Sequence, residues 1–269
     1  MSHMHREQME ARVVSSINEG QLIRQPWKHW TVNNILPDHI IDQVHKDNHF
    51  DNWPGIDEEQ PLFITTAFEG DKTKSQYTGY RYYFKKDTVS SAAIDLTKIF
   101  THSSVVESLT NLTGADLKNT FLKACYSRER NGWSLHKHDD HPETCKLTII
   151  VYLPIEEPSK DNKMGTSLYN QDLSLHHRQK YSYNFGSMFI PCTKRFRKTL
   201  HGFDGEIEGD RRFVLFQYLT HEGIDMDDPR VPYKYDGVLR PPNTFKAKTT
   251  SSFYSGQVDT IETLWRVDA

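Results

Sequence analysis

From Leu117 to about residue 222 the chain is a series of short β-prone runs, and that series limits the fold more than any other feature. The runs are "NTFLKACY", "CKLTIIVYLP", "TSLYN", "YSYNFGSMFIPC", "KTLHGFD" and "RRFVLFQYLTHE", separated by turn-rich segments. β-Branched and aromatic residues fill them, as suits a pleated surface buried on at least one side. Short strands in series must pair with one another, so they predict a sandwich, a barrel or a jelly roll.

The pattern before Leu117 is different. Trp27, Trp30 and Val32 predict a short strand, and Pro37-Asp38 starts a helix with Ile40, Ile41 and Val44 on one face. "FITTAF" and "YTGYRYYF" read as strands around a polar connection. Ala93, Leu96, Ile99 and Phe100 make one helical face; Val105, Val106, Leu109 and Leu112 continue it after a break near Thr101, and Thr113-Gly114 ends it.

The expected organisation is therefore one domain over 25–228, with helical support at 36–113 and a β core at 117–222. Residues 1–24 read as a polar N-terminal extension whose start resembles a cloning scar, and 229–269 as an irregular C-terminal extension. A chain of 269 residues can bury enough surface to fold without disulfides. Its three cysteines (Cys125, Cys145 and Cys192) form no C-x-x-C pair, which predicts a reduced, cytoplasmic setting. A net charge of −3 offers no basic footprint for nucleic acid, and no apolar run is long enough to span a bilayer. Nothing in the pattern sets an oligomeric state.

The chemistry gathers at "WSLHKHDDHPETCKLTIIVYLP", where three histidines and two aspartates fall within His136–His141 at the lip of an apolar run. On an extended backbone His138 and Asp140 point the same way, so a nitrogen and a carboxylate oxygen can reach one ion. His201 supplies a third ligand 61 residues after Asp140. Two histidines and one carboxylate suit the facial triad of non-haem Fe(II) oxygenases, which leaves coordination positions open. Arg211 lies ten positions beyond His201, with Arg212 beside it. Alternation on a strand turns one of them inward and the other out; the pleat together with the resemblance below favours Arg211 inside, and a surface arginine paired with Asp210 or Glu208 is the alternative. A buried guanidinium needs an anionic partner, and its fork suits a carboxylate.

The ordered set of His138, Asp140, His201 and Arg211 resembles the Fe(II)- and 2-oxoglutarate-dependent dioxygenases, in particular their prolyl-hydroxylase-like branch. "ACYSRERNGWSLHKHDDHP" is similar to that branch's Tyr-containing strand, Gly-containing loop and metal pair with a following Pro; "GTSLYN", "LHGFD" and "PWKHWTVNNILPDHIIDQV" are similar to further segments. The resemblance spans roughly residues 25 to 222. It departs in a longer loop before the metal pair and in a competing register, His136-x-His138.

The resemblance implies a double-stranded β-helix, that is, a mainly β jelly roll with N-terminal helices, of cupin-like shape. It implies Fe(II) on His138, Asp140 and His201, and 2-oxoglutarate with its far carboxylate on Arg211. Tyr126 is a candidate second donor to that carboxylate, and Thr148 and Tyr152 are candidate pocket residues. O2 would complete the reaction, hydroxylating an unactivated C–H of a small molecule, amino acid or peptide and giving succinate and CO2. The carboxylate ligand speaks against halogenation. Arg81, Tyr80, Tyr82, Trp133 and the loop Glu156–Met164 are candidates for the mouth, and Asp139, His141, His176 and His177 read as solvated loop residues. Two other readings stay open: a cupin-type dioxygenase or hydrolase that does not use 2-oxoglutarate, and a non-catalytic jelly-roll binding module.

Overall fold

The computed structural model describes residues 6–47, 62–65, 74–77, 79–84, 90–140, 142–192, 198–221, 233–235, 238–240 and 265–267. Thirteen strands enter the account: β1 Gln21–Ile23, β2 His29–Asn33, β3 Leu62–Thr65, β4 Lys74–Tyr77, β5 Gly79–Tyr83, β6 Phe121–Arg130, β7 Leu135–His138, β8 Cys145–Tyr152, β9 Ser167–Tyr169, β10 Leu175–Arg178, β11 Phe185–Phe189, β12 His201–Phe203 and β13 Asp210–Leu219. The larger sheet runs β1-β2-β11-β8-β13-β6, with β5 also paired to β6 and the strand Trp265–Arg266 at the β6 edge. A four-stranded sheet, β10-β9-β12-β7, faces it, and both are antiparallel. Two such sheets closing over a common interior make a jelly roll, the architecture that the series of short strands predicts.

Alternation explains the two sides of the large sheet. On β8, Leu147, Ile149 and Val151 face a helical layer, while Thr148, Ile150 and Tyr152 face the small sheet. On β13, Val214 and Phe216 pack with the helices, while Arg211, Phe213 and Leu215 turn to the interior. Four helices supply the covering layer: Arg6–Asn18, Asp38–Lys46, Ser91–Thr101 and Ser103–Thr113. The predicted break near Thr101 is real. His102 closes the third helix through its backbone N–H and opens the fourth by accepting from Ser104 N. Gly114 ends that helix at φ 80°, where a residue without Cβ pays no steric penalty.

Three expectations need correction. Residues 6–18 are no extension: Met9, Val13 and Ile17 sit in the main core beside the helix Ser103–Thr113. The C-terminal part is not wholly irregular. Tyr233–Tyr235 and Val238–Arg240 form a hairpin, and Trp265–Arg266 pairs with Leu122 and Phe121, placing Val267 in the core. His176 and His177 lie on β10 rather than in a loop. Among the described residues no helix is long and apolar enough to cross a membrane.

Candidate metal and carboxylate site

Strand pairing brings the metal-ligand candidates together. β7 and β12 run antiparallel with His138 directly opposite His201. Their rings lie 4.2 Å apart, centre to centre. Asp140 lies two residues past the end of β7, and its Oδ1 is 3.8 Å from His138 Nε2. The ligand atoms of His138, Asp140 and His201 all lie within 4.8 Å of one another. Two neutral imidazole nitrogens and a carboxylate oxygen this close suit a divalent first-row ion.

The surroundings orient these ligands. His201 is buried, and its Nδ1 is 2.8 Å from the Thr199 carbonyl. A carbonyl only accepts, so Nδ1 carries the proton and Nε2 is left bare to bind a metal, a common arrangement for ligating histidines. Phe189 backs the ring at 4.7 Å. Trp27 donates from Nε1 to the Leu200 carbonyl and so ties down the turn before His201. Thr148 donates to Asp140 Oδ2 at 2.9 Å, which leaves Oδ1 toward the histidines. Thr148 thus holds a ligand, a role its position on β8 alone did not reveal.

The triad opens onto a cavity of about 180 Å³ shared with Trp133, Thr166, Phe203, Arg211 and Glu129. Arg211 is 3% exposed and lies on its wall. Its Nε donates to the Met164 carbonyl at 2.5 Å and its Nη2 to Thr166 Oγ1 at 3.2 Å. Phe203, Phe213 and Tyr152 surround the guanidinium, with ring centres 4.5, 4.6 and 5.6 Å from Cζ. Tyr152 reaches the site through Thr166: its hydroxyl is 2.6 Å from Thr166 Oγ1 and accepts from Thr166 N.

Arg212 points the other way. It donates to the Tyr126 hydroxyl at 3.1 Å and to Asp210 at 3.0 Å. Tyr126 is therefore corrected. It belongs to the core beneath the helices, on the face of β6 opposite the cavity, and cannot assist a carboxylate at Arg211. The loop Glu156–Met164 divides. Glu156 and Glu157 line a separate surface groove with Arg212, while the Met164 carbonyl holds Arg211. Asp139 is half-buried, and burial pushes its carboxyl up from the ordinary range. His141 and the side chains of His136, Tyr80, Arg81 and Tyr82 lie outside the described residues.

Glu129 is the residue that sequence reasoning missed. It is 1% exposed and directly opposite Arg211 in the β6–β13 register, and its Oε2 accepts from Arg211 Nη1. Burial pulls the guanidinium down, but Glu129 together with Tyr152 and Tyr181 raises it above its ordinary value. In "YSRERNG" the glutamate reads as the charged end of a strand, and only the cross-strand register makes it a partner. The donor set therefore fits a metal as it stands. The arginine fits a carboxylate co-substrate, but one carboxylate of the protein already holds it.

No family model matches the chain, and no curated protein matches it. Solved structures do. A prolyl 4-hydroxylase from Phytophthora capsici superposes with a TM-score of 0.50 at 12% identity, over 82% of this chain and 67% of that one. The fold is the one that enzyme has. A Trichoplax adhaerens prolyl hydroxylase, solved with a hypoxia inducible factor peptide fragment, gives 0.47 at 15% identity, over 81% and 92% of the two chains. A Pseudomonas putida prolyl-4-hydroxylase gives 0.46 at 10% identity, over 78% and 99%.

Proposed function

We propose that the protein is an Fe(II)- and 2-oxoglutarate-dependent oxygenase that hydroxylates an unactivated C–H of a small molecule, amino acid or peptide. The observation that carries this reading is the His138–Asp140–His201 cluster, whose ligand atoms lie within 4.8 Å at one cavity with a buried arginine on its wall. The jelly-roll fold shared with a prolyl 4-hydroxylase agrees with it. Bound iron with 2-oxoglutarate and O2 supplies the oxidising chemistry, releasing succinate and CO2, and the protein supplies orientation and enclosure.

Each residue then has a defined task. His138, Asp140 and His201 would hold iron at the wall of the cavity. Thr148 and the Thr199 carbonyl keep Asp140 and His201 in their binding orientations. Arg211, fixed by Met164 and Thr166, receives the distal carboxylate of 2-oxoglutarate. Phe203, Phe213 and Ile150 make the space between arginine and metal apolar, which limits competing water.

An anaerobic titration tests the reading. Metal-free protein receives Fe(II), then 2-oxoglutarate, and visible absorption is recorded. A weak charge-transfer band that needs both additions is the expected result; its absence with iron bound overturns the reading. The existing Glu129–Arg211 pair favours one second reading, a metal-dependent oxygenase or hydrolase that uses no 2-oxoglutarate. That reading predicts iron binding and turnover without release of succinate.

A further inference from the structure

We propose that a second cavity, behind the metal-ligand candidate His201, binds a small carboxylate with an apolar body, and that its occupant tightens the metal site. The cavity holds about 420 Å³ and lies between residues 24–30 and the chain at Ile190, Cys192 and Thr199. It shares no described lining residue with the triad cavity. Trp27, Trp30 and Ile190 give it apolar walls, and the exposed Arg24 and Lys28 add two positive charges. Lys28 Nζ lies 4.7 Å from the centre of the Trp30 ring, which keeps its charge beside the apolar wall. Among the described residues no acidic side chain lines the cavity. A hollow of this size, mostly apolar with a few polar groups, is the usual form of a small-molecule site. Two cations on such a wall select one negative group on an apolar body, and the arginine fork suits a carboxylate.

The same walls hold His201. Trp27 donates from Nε1 to the Leu200 carbonyl at 3.1 Å. Its ring meets Phe189 edge-on at 5.3 Å, and Phe189 lies 4.7 Å from the His201 ring. Thr199, also on the wall, accepts from His201 Nδ1 through its carbonyl at 2.8 Å. Both residues that precede the ligand candidate are therefore tied to the cavity. An occupant packed on Trp27 and Thr199 restricts the imidazole to its binding orientation, and such outer contacts tune metal affinity. By linkage, metal must tighten the occupant by the same factor. This coupling rests on the metal reading of the triad and not on 2-oxoglutarate.

The test uses the full chain, octanoate as the probe and octanamide as its neutral counterpart. Calorimetry on metal-free protein comes first. Octanoate is expected to bind with Kd below about 1 mM, and octanamide and inorganic phosphate at least about tenfold more weakly. Arg24→Gln with Lys28→Gln should abolish octanoate binding and leave Fe(II) affinity unchanged. Anaerobic competition with a chelator then measures Fe(II) affinity, which saturating octanoate should raise by about fivefold or more. Trp27→Phe keeps a ring but removes the donor to Leu200, so octanoate should still bind with the coupling reduced. No octanoate binding, equal binding of octanamide or phosphate, or binding that survives loss of both charges overturns the site. Octanoate binding with Fe(II) affinity unchanged or lowered overturns the coupling. Failure of the protein to bind Fe(II) at all overturns the coupling and the metal reading together.

Discussion

Thr148 shows how a single hydroxyl can matter at a distance of one bond from the chemistry. It donates to Asp140, one of the three ligand candidates. Thr148→Val keeps the shape and removes that donor. Metal affinity is expected to fall by about ten- to a hundredfold with little loss of fold, measured by competition with a chelator at fixed pH. Arg211 presents the opposite case. Arg211→Met removes the buried donor to Glu129, Met164 and Thr166 and should cost about 3–5 kcal/mol in urea unfolding. Adding Glu129→Gln to that variant should recover part of the loss.

At the scale of elements, the site depends on how closely β9 approaches its neighbours. A Cβ on Gly165 would lie 1.6 Å from the Gln179 carbonyl oxygen. The next residue, Thr166, holds both Arg211 and Tyr152. Gly165→Ala must therefore push β9 away from the chain at Gln179 and misplace the arginine. Loss of soluble protein, or a much lower melting temperature with weakened oxo-acid binding, is the expected outcome. The two sheets also meet at histidines. His29 on β2 is 1% exposed, and its ring lies 6.1 Å from that of His177 on β10. Burial lowers the pKa of His29, the Trp27 carbonyl partly offsets this, and His176 adds to the lowering. The sign follows directly. The unfolded chain takes up this proton first as pH falls, so the contribution is intact above the ordinary value of 6.5 and is lost below it. His29→Asn should flatten the fall in melting temperature between about pH 6.5 and 5. His177 is lowered in the same direction, also by burial first, so some slope should remain.

Across the whole molecule, the helical layer and the large sheet are one core. Met9, Val13 and Ile17 join Leu96, Leu109, Ile149 and Phe216 in it. Deleting residues 1–18 exposes that apolar surface, and each buried aliphatic side chain contributes about 1.5–3 kcal/mol. The truncated chain should be insoluble or should melt far below the full chain, measured by differential scanning fluorimetry. A truly dispensable extension would leave the melting temperature unchanged.

Local pattern sufficed for the helices at Asp38–Lys46, Ser91–Thr101 and Ser103–Thr113 and for most strands after Leu117, because periodicity is carried by the residues themselves, and ligand chemistry singled out His138, Asp140 and His201, which the structure brings together. Alternation also required one of Arg211 and Arg212 to turn inward, and with the family resemblance it pointed to Arg211, the orientation the structure has. Contacts between distant strands were another matter. That His138 faces His201, that Glu129 faces Arg211 and that Tyr126 lies on the far side of β6 all depend on register. A shift of one residue turns every side chain of a strand to the other face. Register is set by the packing of both sheets together, and no single segment encodes it. The sequence by itself therefore determined which groups the chain can offer to a site, and only the tertiary structure decided which of them share the cavity and which already hold one another.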